Sequence, residues 1–345
     1  MELSDLQFEY PPELVATEKQ TPSRVLVTQV FAGKKTDFTE LKSAQDISSI
    51  FNSGDVLVIN NTKVLARRLF SETHFEILFL SALPEAGCWQ VLCPSSQWPK
   101  NSLMKFPDGV TAELVERGRT QIVRVTPAEI LTEDYFVKYA DLPLPPYILK
   151  TRKEKRTREQ DKLDYQTYWA KIPGSLAAPT ASLHFSKATI DDLRNRGVQV
   201  LEMTLHVGLG TFLPITTSLS EHKMHSENVH ISKEVWERIA AAKASSKKVW
   251  ALGTTVTRAL ESAALDLIPR DASQNFAGDT DIFIKPGFQF QVVDGLLTNF
   301  HQPESTLLAL VAAFAGLENV KAAYQLAIQN KFRLFSYGDL SAWIK

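Results

Sequence analysis

Apolar residues in the outer parts of the chain follow two patterns, one typical of buried strands and one typical of helices. Residues 56–61 and 248–253 are largely apolar runs that end in asparagine or glycine, and they predict strands buried within a sheet. Residues 186–196 and 232–245 are expected to form helices, the second capped by Ser232. Strands that alternate with helices predict an α/β sheet.

The middle of the chain is richer in short strand-like runs. Between residues 75 and 125 such runs alternate with turn sequences, for example Pro107-Asp108-Gly109. Short strands at this spacing are typical of an all-β barrel or sandwich. We therefore predict an α/β fold class: a mixed α/β domain made of residues 1–65 and 142–345, with a small all-β domain, residues 66–141, inserted into it.

Other segments complete the prediction. Residues 38–51 are expected to form a helix, residues 281–287 and 296–301 to form strands, and residues 307–316 to form an apolar helix. That last helix is too short to span a bilayer, and the acidic N-terminus lacks a signal-peptide pattern. We expect a cytoplasmic monomer without membrane contact.

Charge and composition narrow the range of partners. The 345 residues carry a net charge of −1, and 44% are hydrophobic and 22% charged, as in globular proteins. Nucleic-acid binding would therefore need a local basic patch. Residues 150–158 are the densest positive run, and they suit either a solvated loop or contacts with phosphates. The two cysteines, Cys88 and Cys93, are expected to stay reduced.

Small and polar residues concentrate between residues 165 and 212. His184 and His206 each lie beside small residues, and Gly208 and Gly210 follow a strand-like run. Glycine lets the backbone turn tightly and lets a ligand approach it closely. This stretch is interpreted as the floor of a binding site, with an ordinary strand and turn as the alternative.

Polar side chains also follow other predicted strands, where ligands bind in open α/β sheets. Thr254 and Thr255 begin a helix directly after a strand, an arrangement suited to an anion. The alternative is a capped βα unit with a surface ion pair between Arg258 and Glu261, which lie three residues apart. His222, His225 and nearby His230 have no accompanying zinc pattern, so no metal is expected. The remaining strand-end residues are Asn60, Asn61, Asn299, His301, Glu304 and Ser305.

Taken together, these motifs closely resemble the S-adenosylmethionine:tRNA ribosyltransferase-isomerase family. The resemblance covers nearly the whole chain in order and is densest after residue 140. It is carried by residues 142–148, 165–185, 204–212, 222–227, 253–262, 281–316 and 332–339.

The resemblance implies both a fold and a reaction. The fold would be an α/β domain that carries an inserted six-stranded β-barrel. The reaction would transfer the ribosyl part of the co-substrate S-adenosylmethionine to 7-aminomethyl-7-deazaguanine at the anticodon wobble position of tRNA. The sugar would be isomerised to give epoxyqueuosine, with release of adenine and methionine, and without a metal or a permanently bound cofactor. The biological role would be queuosine biosynthesis.

The resemblance also assigns candidate roles to residues. A sulfonium acidifies the neighbouring ribose methylene, so the reaction needs a base, and departure of adenine favours an acid; His184, His206 and His301 are the candidates, in no assigned order. Glu304 could orient a histidine or act as the base itself. Phe185, Phe212 and Phe300 could stack on a nucleobase or could belong to the core. The candidate substrate-binding residues are Asn60, Asn61, Tyr165, Thr180, Gly208, Gly210, Thr254, Thr255, Arg258, Asn299 and Ser305, and the candidate tRNA-binding residues are Lys150, Arg152, Lys153, Lys155, Arg156 and Arg158.

The chain departs from the family pattern at several positions. Ser182 stands where the family usually has glycine, and Val256-Thr257 stand where it has Ser-Val. These departures keep one alternative open, a diverged paralogue that uses S-adenosylmethionine on another nucleoside or small molecule. The basic run of residues 150–158 keeps a second open, a non-catalytic tRNA-binding protein.

Overall fold

The computed structural model describes residues 2–30, 36–98, 102–208, 210, 219 and 221–345. The strands are β1 Val25–Gln29, β2 Asp37–Leu41, β3 Val56–Asn60, β4 Thr62–Val64, β5 Arg68–Phe70, β6 Glu76–Ala82, β7 Cys88–Leu92, β8 Leu103–Lys105, β9 Thr111–Glu116, β10 Gln121–Thr126, β11 Ile172–Ser175, β12 Gln199–Leu205, β13 Glu227–Ile231, β14 Val249–Leu252, β15 Phe276–Thr280, β16 Gly295–Asn299 and β17 Leu340–Ile344. The α-helices are α1 Glu133–Tyr139, α2 Pro146–Arg152, α3 Glu159–Asp164, α4 Lys187–Asn195, α5 Lys233–Ala244, α6 Thr254–Ala264, α7 Thr306–Ala315 and α8 Leu317–Gln329.

The larger sheet has the strand order β15-β13-β12-β3-β14-β16-β17-β1-β2. Its four central neighbours, β12, β3, β14 and β16, are parallel, so their carboxyl ends meet at one edge. Side chains of β3 alternate between two cores: Val56 and Val58 join one, and Leu57 and Ile59 join the other. Burial on both faces is the reason that β3 is apolar almost throughout.

Helices cover both faces of this sheet. The chain leaves β3 for β12 through α4, whose Ile190 and Leu193 lie in the same core as Leu57. It then returns through α5 to β14 on the other side of β3, and α5 and α6 pack in the opposite core. The direction of winding therefore reverses beside β3, which is where a crevice for ligands forms in sheets of this kind.

A second, six-stranded sheet is antiparallel throughout, in the order β5-β6-β7-β10-β9-β8. It curls into a half-barrel: the backbone N–H of Glu72, just after β5, donates to the carbonyl of Lys105 in β8 at 2.8 Å. Phe79, Phe106 and Phe136 pack inside it. The predicted fold class is confirmed, whereas the limits of the inserted domain, residues 66 and 141, stay a prediction.

Two predicted elements are wrong. Residues 38–51 form β2 and a 3₁₀ helix, Ala44–Ile50, because β2 pairs with β1 along its whole length. Residues 281–287 contain no strand; the carbonyl of Ile282 accepts a hydrogen bond from the side chain of Arg258 (3.2 Å) instead of from a neighbouring strand.

Within the residues that the structure describes, no single helix has the length and apolar character to cross a membrane. In the described part of the chain, α7 and α8 meet both criteria when they are taken as one pair, but a bend of 112° separates them. Cys88 and Cys93 are both free thiols.

Candidate active site

A cavity of about 590 Å³ lies at the carboxyl ends of the parallel strands. Its wall is built from the segments that follow β14 and β16, from the 3₁₀ helix Thr180–His184, and from residues near α2. The predicted site residues that line it are Lys150, Tyr165, Thr180, Gly210, Thr254, Thr255, Arg258, Asn299, His301, Glu304 and Ser305.

Other predicted site residues hold the frame behind the cavity. The buried Asn60 side chain joins β3 to β12, since its Nδ2 donates to the carbonyl of Leu205 (2.9 Å) and its Oδ1 accepts from the N–H of the same residue (3.1 Å). The Asn61 side chain donates a hydrogen bond to Glu202 and accepts one from Thr204, both on β12. Neither asparagine lines the cavity.

His206 also lies outside the cavity wall. Its Nδ1 is 2.8 Å from Oγ1 of Thr62, and its ring packs so closely over Gly174 that a side chain there would meet it at 2.7 Å. Burial lowers the pKa of His206. Gly208 follows Val207, which lines the cavity, but does not line it itself. Its N–H donates to Oε1 of Glu227 at 3.1 Å.

His184 supports the cavity from behind through a line of hydrogen bonds. The Nδ2 of Asn299 donates to Nε2 of His184 (2.9 Å), so the ring hydrogen is on Nδ1, which donates to Oγ of Ser23 (2.7 Å). On the other side, Thr180 donates from Oγ1 to Oδ1 of Asn299 at 2.8 Å. Burial lowers the pKa of His184 to about 3, so its ring is neutral at pH 7.

His301 is the predicted histidine that lines the cavity. Its Nε2 is 2.8 Å from Oγ1 of Thr298, and its backbone N–H donates to the hydroxyl of Tyr324 at 2.8 Å. Burial lowers the pKa of His301 to about 3. This ring is therefore neutral at pH 7 and keeps one N–H donor and one acceptor nitrogen.

Glu304 lies at the turn between β16 and α7 with a φ of +53°, a left-handed conformation that is uncommon outside glycine. The N-terminal segment holds it there: its N–H donates to the carbonyl of Leu6 (3.3 Å), and Gln7 donates from Nε2 to its Oε1 (3.1 Å). Within the described part of the chain, its Oε2 accepts no hydrogen bond. Strained backbone of this kind is common at functional sites.

Arg258 lies on α6 in a buried ion pair with Glu227. Its Nη1 contacts Oε2 of Glu227, and its Nε donates to the carbonyl of Ile282. Its Nη2 is buried and, among the described residues, has no hydrogen-bond partner, and the same holds for Oγ1 of Thr255 one turn earlier.

The basic run of residues 150–158 is only partly available to a ligand. Arg152 is buried against Asp161 in a bidentate pair (2.8 and 2.9 Å). Arg156 binds Asp141, and Arg158 binds Glu18 and Glu154. Lys150, Lys153 and Lys155 are exposed, and no acidic side chain in the described ranges pairs with them.

A family model described as Queuosine biosynthesis protein matches residues 3–342 of the chain. The chain belongs to this queuosine biosynthesis family. Two of its relatives are named S-adenosylmethionine:tRNA ribosyltransferase-isomerase. One, from Halothermothrix orenii, is 42% identical over 98% of both chains, and the other, from Citrifermentans bemidjiense, is 41% identical over 98% of both.

A solved structure resembles this member of the queuosine biosynthesis family along its whole length. It is a crystal structure described as S-adenosylmethionine tRNA ribosyltransferase from Thermotoga maritima. The match has a TM-score of 0.55 and 29% identity, and it covers 99% of this chain and 100% of the other.

In this family member, the cavity wall also contains residues that sequence reasoning did not assign to the site. His222 and His225, considered only as metal ligands, line it together with Glu227. Arg119 reaches it from the turn between β9 and β10 of the half-barrel, with its Nη2 3.2 Å from Nε2 of His225. The clustering of His222, His225 and Glu227 within six residues was the available signal. In the described part of the chain, no group of potential ligands is arranged for a metal ion.

The three phenylalanines suggested for stacking on a nucleobase differ in where they lie. Phe185 lies in the sheet core. Phe300 lines the cavity but is fully buried and packs edge-on against Tyr324 and Phe332. Phe212 lies outside the described residues.

Proposed function

We propose that this chain is an S-adenosylmethionine:tRNA ribosyltransferase-isomerase. The observation that carries the proposal is its 42% identity, over 98% of both chains, to a relative of that name. The cavity supports it, because its roughly 590 Å³ lies within the range of small-molecule sites and could admit a nucleoside.

The proposed acceptor is 7-aminomethyl-7-deazaguanine at the anticodon wobble position of tRNA, with epoxyqueuosine-tRNA, adenine and methionine as the products. Exposed Lys150, which also lines the cavity, supports an approach of tRNA from this side. No step is assigned to a metal. The monomeric state and the cytoplasmic location remain expectations.

The reaction begins with removal of a proton from the carbon beside the sulfonium. We assign Glu304 as the base that removes it. Nε2 of His301 is already engaged by Oγ1 of Thr298, at 2.8 Å. Glu304 offers a carboxylate whose Oε2 is not engaged by the described residues, and Gln7 fixes its other oxygen. Its negative charge is also attracted to the positive sulfur. His301 then acts as a neutral hydrogen-bonding group for the substrate.

Product analysis tests the proposed function directly. The protein is incubated with S-adenosylmethionine and tRNA that carries the deazaguanine, and adenine and methionine are quantified together with the modified nucleoside. We expect the three products in equal amounts. Adenine release without tRNA would favour a diverged paralogue, and salt-sensitive tRNA binding without any turnover would favour a non-catalytic protein.

Replacement of Glu304 by glutamine tests the assignment of the base. Glutamine keeps the size of the side chain and an oxygen for Gln7 but cannot take a proton, so we expect kcat for adenine release to fall by about 100-fold or more. Exchange of solvent deuterium into recovered S-adenosylmethionine should fall in parallel. The matched control is Glu318→Gln on α8, which is exposed and does not line the cavity. Unchanged deuterium exchange in Glu304→Gln would contradict the assignment.

A further inference from the structure

The first turn of α6 presents unused hydrogen-bond donors to the cavity. Serine side chains cap α4, α5 and α7, each accepting a bond from a backbone N–H of the first turn. The residue before α6 is Gly253, whose φ of +98° suits glycine and which has no side chain to cap the helix. Within the described ranges, the N–H groups of residues 254–256 have no acceptor.

Two buried side-chain atoms on this turn are also unsatisfied. They are Oγ1 of Thr255 and Nη2 of Arg258, three residues apart on one face of α6 and both in the cavity wall. Arg258 is 5% exposed, so bulk water does not supply a hydrogen-bond acceptor for its Nη2. Leaving such atoms unsatisfied costs about 1–3 kcal/mol each, and a ligand that accepts from them would recover it.

The electrostatic environment of this turn suits a ligand that carries a single negative charge. Glu227 already neutralises Arg258, and Oε1 of Glu227 is held in turn by the N–H of Gly208. What remains is the partial positive charge of the helix N-terminus, equivalent to about half an elementary charge. A planar monoanion with two oxygens could accept hydrogen bonds from the backbone N–H groups with one oxygen. Its other oxygen could accept from Thr255 Oγ1 and Arg258 Nη2.

We propose that the first turn of α6 binds the amino-acid carboxylate of S-adenosylmethionine. This subsite rests on the proposed function, because that function supplies the carboxylate. The start of α7, another helix N-terminus in the wall, lacks such a free side-chain donor: Oγ of Ser305 accepts from the N–H of Leu308 (3.2 Å) and donates to the carbonyl of Gln302 (2.7 Å). Binding at α6 would fix the methionine end and leave the ribose free to reach Glu304.

Calorimetric titration with two ligands tests this subsite. S-adenosylmethionine is compared with decarboxylated S-adenosylmethionine, which keeps the sulfonium nucleoside and lacks only the carboxylate. With the wild-type protein we expect the decarboxylated ligand to bind about 10- to 100-fold more weakly, the range for charge-assisted hydrogen bonds. In Thr255→Val, which removes one donor at nearly constant volume, this ratio should shrink several-fold.

The control variant is Ser262→Ala on the same helix, whose hydroxyl contacts Thr280 instead of the cavity; it should keep the wild-type ratio. Unfolding midpoints verify that each variant is folded. Equal affinities of the wild-type protein for the two ligands, together with normal adenine release, would overturn the subsite and leave the proposed function standing. Absence of both S-adenosylmethionine binding and adenine release would overturn the function as well. Weaker tRNA binding by Thr255→Val, with an unchanged ligand ratio, would assign the turn to a phosphodiester and overturn the carboxylate.

Discussion

At the scale of single residues, the three histidines singled out from the sequence have three different surroundings. His301 lines the cavity, His184 supports it from behind, and His206 packs over Gly174. The sequence could predict that polar residues gather where parallel strands end. It could not predict which of them point inward, because each step of one residue along a strand reverses the direction of the side chain.

The role of His184 can be tested through its contact with Asn299. Loss of the ring in His184→Ala leaves the Asn299 amide and the Ser23 hydroxyl without a shared partner, so Thr180 and Asn299 lose their fixed orientation. We expect kcat for adenine release to fall about 10- to 100-fold, and His184→Gln, which offers both an acceptor and a donor, to recover part of it. Steady-state kinetics with both substrates measures this. Equal kcat in the wild-type protein and His184→Ala would remove the positioning role.

At the scale of elements, the segment from α2 to α3 shows how charge in a sequence can mislead. Three arginines of the basic run are bound by carboxylates within the protein, and one of those carboxylates, Glu18, lies 140 positions away along the chain. Pairing across such a separation leaves no local pattern. The three lysines are exposed and, within the described ranges, lack an acidic partner, whereas tRNA contacts by the three arginines would compete with these ion pairs; tRNA binding by the run stays a prediction.

Salt dependence of tRNA binding measures how many of these lysines contact phosphates. In the variant Lys150→Ala, Lys153→Ala, Lys155→Ala, we expect the slope of log K against log salt concentration to become shallower by about 2 to 3, since each phosphate contact contributes about 0.7–0.9. The matched control replaces Lys187, Lys233 and Lys321, which are exposed lysines on other helices. A slope equal to that of the wild-type protein would exclude this segment from the tRNA interface.

At the scale of the whole molecule, two buried neutral histidines make stability depend on pH. The pKa values of His184 and His301 are about 3 in the folded protein, against a usual value near 6.5. The unfolded chain therefore binds more protons between these values, and stability must fall as pH drops from about 6.5 towards 3.

Denaturant unfolding at pH 4.5, 5.5 and 6.5 tests this effect. Each of the two histidines should contribute up to about 1.4 kcal/mol per pH unit to the slope of the unfolding free energy, a value approached below about pH 5.5. His184→Gln and His301→Gln should each flatten that slope by this amount relative to the wild-type protein. Parallel slopes in all three proteins would show that these two rings titrate normally when folded.

The layers of the fold were predictable because each has its own residue pattern: apolar runs for the central strands and short alternating strands for the half-barrel. The strand order was not predictable, because it depends on partners that are distant in sequence. β2 illustrates this limit, since residues 37–41 are extended only through pairing with β1.

The pairing of β1 with β17 spans most of the chain; the N–H of Arg24, just before β1, donates to the buried carboxylate of Asp339 across 315 positions. A nascent chain therefore leaves the ribosome with β1 and β2 made early and the second partner of β1, β17, made more than three hundred codons later. During that interval the edge of β1 that will pair with β17 is open to strands of other chains. Overproduction in a host with few free chaperones should for this reason yield aggregates, and slower translation, which lengthens the interval, should increase their amount.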